Sequence, residues 1–356
     1  MKRSNHFMWL IALTVCLSLT IAFNPGFVEA KEMKWRMGSA WTQKERNISL
    51  ELFAQLIEIK TKGEIKVKFQ PSGLLGSHDE IFHAVQEGSV QMGVFAPYVN
   101  LVPGGMLNWM PWTVGSYDEA SIAYRPPDGI LYKIMDKAYE EVGLKLLWSP
   151  PAGPYGLGNK AREMKLPADL KGNKMRVSAS LGFVKTLQNM GEGSGMTLQT
   201  IPWADLYNAL ERNVVDGCWS LWSSLVEERH YEVLKYYIAL GFGWDSCNVA
   251  INRELWDGLS DKHKEAIWEA GKMAEERDFE AHRRADKAYQ KQLMASGLKI
   301  YFPSPQEKKA WREKARMDTI WKELCDPWLE KHYPGKNMGK TIRDELDRIR
   351  IEVEGQ

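Results

Sequence analysis

Strand-like and helix-like periods alternate along most of this chain, and that alternation limits the possible folds more than any other feature of the sequence. Apolar residues recur at helical spacing through residues 48–57. Between residues 65 and 69 they alternate instead with lysines, as on a strand that is buried on one face. Strands and helices that follow one another in this way are typical of layered α/β proteins. We therefore expect an α/β fold.

The first 30 residues are predicted to be an export signal. Lys2 and Arg3 precede an apolar run at residues 7–23, and residues 28–30 offer a cleavage site with small or aliphatic side chains. The run is shorter than the ~20 apolar residues that a membrane-spanning helix needs. A retained N-terminal anchor is the open alternative. No later apolar run is long enough to span a bilayer, so the chain is not expected to span a membrane once the signal is removed.

The remaining chain, roughly 325 residues, is longer than one hydrophobic core usually organises, so two lobes are expected. Removing Lys2, Arg3 and Glu29 from the 47 basic and 46 acidic residues leaves 45 of each. This balance gives no reason to expect a nucleic acid as a partner. The first lobe is predicted at residues 31–153 and 243–280, and the second lobe with the C-terminal helices at residues 154–242 and 281–356.

A long helix is predicted from about residue 260 to residue 296, because this segment has no proline and Gly271 is its only glycine. At ~1.5 Å per residue the helix would be ~50 Å long, which exceeds the width of one lobe. Alanines and Met273 form a narrow stripe between its charged faces. We therefore expect this helix to span both lobes, with the hinge at the points where the chain crosses between them.

Signatures of catalysis and of metal binding are largely absent from the sequence. It has no G-x-S-x-G or H-E-x-x-H motif, and His78 and His83 do not share a helical face. Neither an enzyme nor a cofactor is predicted. An exported carbohydrate-active enzyme is a rival that would need two facing carboxylates, and the sequence offers no convincing pair. Cys218, Cys247 and Cys325 contain no C-x-x-C pair and can form at most one disulfide.

Arg176 is the strongest candidate for a binding residue. It ends an otherwise apolar strand, where an unpaired guanidinium is costly to bury. The planar fork of an arginine matches a carboxylate through two parallel hydrogen bonds. Two explanations stay open from the residues alone: an internal bridge to Asp205 or Asp216, or a carboxylate that arrives with a ligand.

The segments around Arg176 resemble the signature of the periplasmic solute-binding proteins of TRAP transporters, the dicarboxylate-binding family. The resemblance implies a two-lobe periplasmic binding protein fold with a hinge, a periplasmic location and a partnership with the membrane permease subunits of such a transporter. It also implies that Arg176 grips the carboxylate of a small organic acid. The matching segments are residues 51–63, 69–76, 84–92, 169–177, 207–217 and 252–256.

Two departures from the family pattern bear on the ligand. Trp219 and Trp222 follow Gly217 where many members have polar anchors, and Tyr155 stands near the place of a second arginine. We therefore expect one carboxylate with an apolar or ring-bearing remainder. Presentation of the ligand to a sensor or to another type of transporter is the nearest alternative. The further ligand-binding candidates at strand or loop ends are Trp41, Phe95, Tyr98, Trp112, Tyr155, Trp219, Trp222, Trp244 and Asn248, with core packing as the alternative for each tryptophan.

Overall fold

The first of two main sheets has five strands. The computed structural model describes residues 32–41, 44–97 and 100–355. The strands of this first sheet are β1 (Met33–Gly38), β2 (Ile65–Gln70), β3 (Met92–Phe95), β4 (Leu144–Trp148) and β12 (Asn248–Asn252). They lie in the order β2-β1-β3-β12-β4, and β12, which comes from late in the chain, is antiparallel to both of its neighbours.

The second main sheet has six strands, β6 (Gly156–Asn159), β7 (Lys174–Val177), β8 (Thr197–Thr200), β9 (Gly217–Ser220), β10 (Tyr236–Ile238) and β13 (Lys299–Tyr301). They lie in the order β13-β10-β6-β9-β7-β8. Strand β7 runs parallel to both β8 and β9, and Arg176 of β7 lies opposite Gln199 and Cys218. The two separate sheets confirm the expected two-lobe α/β architecture.

A short antiparallel pair connects the two sheets where the chain crosses between them. It consists of β5 (Pro151–Pro154) and β11 (Trp244–Ser246). The Tyr155 backbone N–H donates to the Gly243 carbonyl at 2.8 Å, which continues the pairing toward the second sheet. These are the segments at which the sequence places the crossings.

Helices cover the sheets, and the described residues also include four short 3-10 turns. The turns are Pro103–Trp109, Pro167–Leu170, Trp203–Asp205 and His230–Glu232. The helices are α1 (Lys44–Lys60), α2 (His78–Gln86), α3 (Tyr117–Ala123), α4 (Ile130–Glu141), α5 (Leu181–Met190), α6 (Leu206–Glu211), α7 (Trp222–Glu227), α8 (Arg253–Asp257), α9 (Asp261–Ala295), α10 (Pro305–Ala315), α11 (Met317–Leu324), α12 (Asp326–His332) and α13 (Met338–Glu354). None of the helices in the described part of the chain has the length and apolar character that a membrane span requires.

Helix α9 spans both lobes, as predicted. It begins at the Ser260 cap, whose hydroxyl accepts from the His263 backbone N–H, and it contains 35 residues, so it is about 52 Å long. Near its start, Gly271 lies against Trp148 of the first sheet. Near its end, Leu293 packs in the apolar cluster of the second lobe. A single rigid rod therefore contacts both lobes.

The buried face of α9 differs from the predicted stripe of small residues. Met273 is 46% exposed, whereas Glu275, Asp278, His282 and Asp286 are all buried. Their spacing places them on one helical face toward the crossing strands. The Asp278 carboxylate accepts from the Ser49 hydroxyl at 2.8 Å, and that of Asp286 accepts from the Tyr117 hydroxyl at 2.8 Å. The prediction missed this row because titratable residues at helical spacing are usually solvent-exposed.

Two further packing details differ from the predictions. The valines of residues 214–215 predict a short strand there, but the strand lies at Gly217–Ser220 instead, because Val214 is half exposed and the Asp216 carboxylate accepts from the Lys174 backbone N–H. The C-terminal helix α13 packs against α3 and α4 in the apolar cluster of the first lobe, through residues such as Leu346. The lobe boundaries in the chain stay a prediction. The three cysteines of the described residues are free thiols.

Replacing Glu275 by glutamine should remove part of the pH dependence of stability. Burial raises the pKa of Glu275 from 4.5 to about 8. The stability that this group contributes is therefore complete below about pH 4.5 and is lost as the pH rises through about 8. The loss for wild type should be on the order of 3 kcal/mol, whereas glutamine cannot ionise. Melting temperatures at pH 5 and pH 9 measure the difference.

The exposed neighbour Glu276 supplies the matched control. The Glu276→Gln variant should follow wild type at both pH values, and Glu275→Gln should match wild type near pH 5 but exceed it at pH 9. An identical pH dependence for Glu275→Gln and wild type would contradict the burial argument.

Candidate functional site

Arg176 is buried without a carboxylate partner. Its relative exposure is 3%, and its neighbours on β7, Met175 and Val177, belong to the apolar core. The guanidinium Nε donates to the Ile201 carbonyl at 2.8 Å. Within the described residues the guanidinium forms no ion pair with a carboxylate, and the nearby groups that favour its charge are Cys218 and Tyr155. The charge of Arg176 is therefore not compensated by the protein.

The internal bridge that the sequence left open is not formed. The Asp216 carboxylate accepts from the Lys174 backbone N–H at 2.8 Å. Asp205 is exposed at the end of the 3-10 turn Trp203–Asp205. Neither aspartate pairs with Arg176, which leaves an external anion as the remaining explanation.

Burial lowers the pKa of Arg176 from its usual 12.5. An arginine nevertheless keeps its charge, since a guanidinium does not lose its proton in proteins. A buried charge without a partner is costly, and the cost is recovered when an anion binds. The electrostatics of this position favour a negatively charged ligand.

Two indole rings flank the guanidinium. The Arg176 Cζ lies 5.5 Å from the ring centroid of Trp203 and 5.4 Å from that of Trp219. The ring of Trp219 stacks on Phe183 with centroids 4.6 Å apart, and Phe183 meets Tyr155 edge to face at 5.4 Å. Contacts of this kind hold a cation in a fixed position through the negative faces of the rings. Arg176 is thus positioned by an aromatic frame rather than by an ion pair.

His230 is a second polar group of this site that sequence reasoning missed. It is 1% exposed, its ring lies 5.2 Å from Trp203, and its Nδ1 has no hydrogen-bond partner among the described protein atoms. Burial, together with the charge of Arg176, lowers the pKa of His230 to about 4. His230 is therefore neutral at neutral pH and offers an uncharged ring nitrogen near the guanidinium.

The signal for Trp203 was present in the sequence, but that for His230 was not. Trp203 follows strand β8, which is parallel to β7, so it lies near the carboxyl edge at which Arg176 is found. Ligand sites of α/β proteins concentrate at that edge. His230 reaches the site only through the tertiary packing of the 3-10 turn His230–Glu232, which no local pattern indicates.

Only some of the other predicted binding residues lie near Arg176. Tyr155 and Trp219 join Arg176 in the aromatic frame. Trp222 packs on Tyr237 in a different cluster, at 4.6 Å. Trp112 lines a separate cavity. Tyr98 lies outside the described residues.

Three predicted binding residues, in the first sheet and in the crossing strands, are buried inside the protein. Phe95 is 0% exposed in the first-lobe core, and Trp244 is 1% exposed against Tyr117. The Asn248 side chain donates to the Ser149 hydroxyl at 3.2 Å. None of the three has a described contact with Arg176.

A buried ion pair borders Tyr155 on the side of the first lobe. Arg46 of α1 lies 3.1 Å from the Asp245 carboxylate of β11, and Trp41 covers the guanidinium with its ring centroid 4.2 Å away. Burial, followed by the Asp245 carboxylate, raises the pKa of Tyr155 well above its usual value. The charge of Arg46 is therefore already neutralised within the protein.

Comparison with known sequences identifies one family. The model of the bacterial extracellular solute-binding proteins, family 7 (DctP), matches residues 38–326. The C4-dicarboxylate-binding periplasmic protein of Rhodobacter capsulatus is 27% identical over 73% of this chain and 77% of its own. A 2,3-diketo-L-gulonate-binding periplasmic protein of Escherichia coli is 25% identical over 69% of this chain and 73% of its own.

Solved structures share the fold. A TRAP periplasmic solute-binding protein from Ochrobactrum anthropi superimposes with a TM-score of 0.80 at 24% identity, covering 91% of this chain and 97% of that one. Another from Desulfovibrio salexigens, with bound orotic acid, gives a TM-score of 0.73 at 21% identity and covers 89% of this chain and 100% of that one. These structures show that the two-lobe architecture is that of periplasmic binding proteins.

Replacing Arg176 by glutamine should leave the thermal stability of the ligand-free protein unchanged or raise it, because the variant loses a buried charge and leaves no carboxylate unpaired. The Arg46→Gln variant is the contrasting case, since it leaves Asp245 buried without its partner and should cost about 3–5 kcal/mol. Chemical denaturation of both variants tests the contrast. A loss of stability in Arg176→Gln as large as that in Arg46→Gln would show that Arg176 has a structural partner.

Proposed function

Because the chain belongs to family 7 of the bacterial extracellular solute-binding proteins, the DctP family, we propose that it captures a small organic acid in the periplasm and delivers it to the membrane permease subunits of a TRAP transporter. Family 7 is a family of solute-binding proteins and not a class of enzymes. The observation that supports the proposal most strongly is the buried, unpaired guanidinium of Arg176.

The geometry of Arg176 suits a carboxylate. Its Nε is engaged by the Ile201 carbonyl, which fixes the plane of the guanidinium. The two terminal nitrogens then remain for a bidentate contact, the arrangement in which arginine binds carboxylates most strongly. The flanking rings of Trp203 and Trp219 hold the fork without neutralising it. A bound acid would supply the carboxylate that the preformed guanidinium of Arg176 lacks.

The surroundings of Arg176 favour one carboxylate and a ring-bearing or apolar remainder. Tyr155 occupies the position near which some relatives have a second arginine, and Arg46 is paired with Asp245. No second unpaired cation borders the aromatic frame within the described residues. Structural neighbours are described with glucuronate, L-gulonate and orotic acid bound, all of them organic acids. These ligands support a small organic acid as the class of substrate, and the ring-bearing or apolar remainder rests on the residues around Arg176 alone.

Release and capture require the lobes to move. The crossing pair of β5 and β11 joins the two sheets, and α9 contacts both. Hinge closure around a ligand is a common mode of periplasmic binding proteins. We place the hinge at the crossing strands, because few residues there connect two separately packed cores.

Orotate and D-glucuronate should bind in an organic acid panel, whereas the methyl ester of each should bind far more weakly. Arg176→Gln should lose affinity by about 30-fold to several thousand-fold, since removing one partner of a buried charge pair costs about 2–5 kcal/mol. Arg176→Lys should recover only part of it, because lysine has no bidentate fork. Titration calorimetry measures each affinity, and Arg162→Gln is the control at an exposed position of the same lobe.

Two outcomes of that panel would contradict the proposal. One is unchanged affinity in a folded Arg176→Gln variant. The other is a panel in which only dicarboxylates or neutral sugars stabilise the protein, which would exclude a single carboxylate as the anchor.

Trp203 and Trp219 should respond differently to truncation. Trp203 is 39% exposed and Trp219 is 4% exposed, so we assign stacking on the ligand ring to Trp203 and support of Arg176 to Trp219. Trp203→Ala should weaken orotate binding roughly two- to tenfold with little loss of stability. Trp219→Ala should instead lower the free energy of unfolding by about 3–5 kcal/mol, as large-to-small core substitutions do. Calorimetry and urea denaturation on both variants measure this.

A stable Trp219→Ala variant that loses its preference for ring-bearing acids would reverse the two roles. An unchanged affinity in Trp203→Ala would remove the stacking assignment.

A further inference from the structure

A cavity lies beyond the aromatic side chains that surround Arg176, on their far side. Its volume is about 210 Å³, several times the ~30 Å³ that a water molecule occupies. Residues 112–116, which follow the 3-10 turn Pro103–Trp109, line one wall, and Leu240 and Gly241 line another. Side chains of α10 and α13 complete it. The cavity therefore lies between the first lobe and the segment around Gly241, by which the chain returns from the second lobe.

Two buried hydrogen-bond donors in this cavity have no partner. They are the indole Nε1 of Trp112 and the guanidinium Nε of Arg312, which meet no acceptor among the described protein atoms. The Arg312 Cζ lies 5.3 Å from the ring centroid of Trp112, so the guanidinium lies against the indole ring. A buried donor without an acceptor is costly, and the described part of the protein supplies no acceptor to either donor at this wall of the cavity.

The charges of the cavity leave Arg312 without a carboxylate partner. Arg350 forms an ion pair with Asp347, and Lys308 also lines the wall. The Glu119 carboxylate is held by the Gly115 backbone N–H at 3.1 Å and by the Ser116 hydroxyl at 2.9 Å.

Arg312 has no ion pair within the described residues, although Glu354 also lines the cavity. Burial and the nearby charge of Arg350 lower the pKa of Arg312, as expected for a cation that lacks its counter-ion. Burial raises the pKa of the Glu119 carboxyl group, which is held by Gly115 and Ser116 and forms no ion pair with Arg312 among the described residues.

We propose that this cavity is a second binding site, for a small oxyanion such as a carboxylate or a phosphate, which pairs with the guanidinium of Arg312 beside the indole of Trp112. Arg350 and Lys308 add positive charge to its wall.

The site is separate from that of Arg176. Three aromatic side chains lie between Trp112 and Arg176, and their centroids follow one another at 6.3 Å from Trp112 to Phe242, 5.7 Å to Phe183 and 4.6 Å to Trp219. An anion in the second site would bind residues 112–116 to helices α10 and α13 next to Gly241. It would therefore stabilise the arrangement of the chain close to the crossing.

Inorganic phosphate and acetate are the two probes, each titrated against chloride at constant ionic strength. Melting temperatures are measured for wild type, Arg176→Gln, the double variant Arg176→Gln/Arg312→Gln and the exposed control Arg162→Gln. Wild type, Arg176→Gln and Arg162→Gln should show a saturable rise of about 2–5 °C with the preferred probe. The double variant Arg176→Gln/Arg312→Gln should show none, because it also removes any response to acetate at Arg176. The larger response to phosphate or to acetate identifies the kind of oxyanion.

Nuclear magnetic resonance of nitrogen-15-labelled protein locates the anion. The indole N–H signal of Trp112, identified by its loss in Trp112→Phe, and the Arg312 Nε–H signal should move together with one saturation curve. This readout does not depend on the stability of the double variant.

Three results would overturn the proposal. They are the absence of any response to either probe in wild type, a full response in a folded Arg176→Gln/Arg312→Gln double variant, and saturation that leaves the Trp112 and Arg312 signals unmoved. Loss of the response in Arg176→Gln would assign the anion to the first site, whereas failure of the first site to bind organic acids leaves this test unaffected.

Discussion

An uncompensated positive charge in the core of the second lobe is the constraint on which the account of this protein depends. Arg176 is 3% exposed, donates only to the Ile201 carbonyl among described hydrogen bonds, and lies between two indole rings. A charge in such a place destabilises the protein unless a ligand neutralises it. Under the proposed function, a bound acid supplies the counter-charge that Arg176 lacks, so the same residue would link folding to binding.

The proposed function requires the fold to couple that local property to capture and release of a ligand. Two sheets with separate cores meet at the short pair of β5 and β11, and α9 lies along both. The row of buried groups on α9, including Glu275 and Asp286, faces the crossing. Arg46 and Asp245 form a compensated ion pair at the same junction. The protein therefore neutralises Arg46 at the crossing, whereas Arg176 has no carboxylate partner among the described residues.

The sequence predicted the elements whose signals are local. A strand at Arg176 and the helix α9 of the proline-free run are both confirmed. The valines of residues 214–215 favour a strand by their type, but they do not form strand β9. Pairing begins instead at Gly217, where a Cβ would lie 2.3 Å from the Gly158 carbonyl oxygen. Trp203 follows strand β8, which the sequence could have indicated, whereas His230 could not be assigned to the site, since only tertiary packing brings it next to Trp203.

The most direct test of the account is a crystal structure of the protein with a bound organic acid from the panel. Both terminal nitrogens of Arg176 should lie about 2.7–2.9 Å from the two oxygens of one ligand carboxylate, with the remainder of the ligand against Trp203. A ligand whose carboxylate is held elsewhere, with Arg176 turned to a carboxylate of the protein, would contradict the central claim.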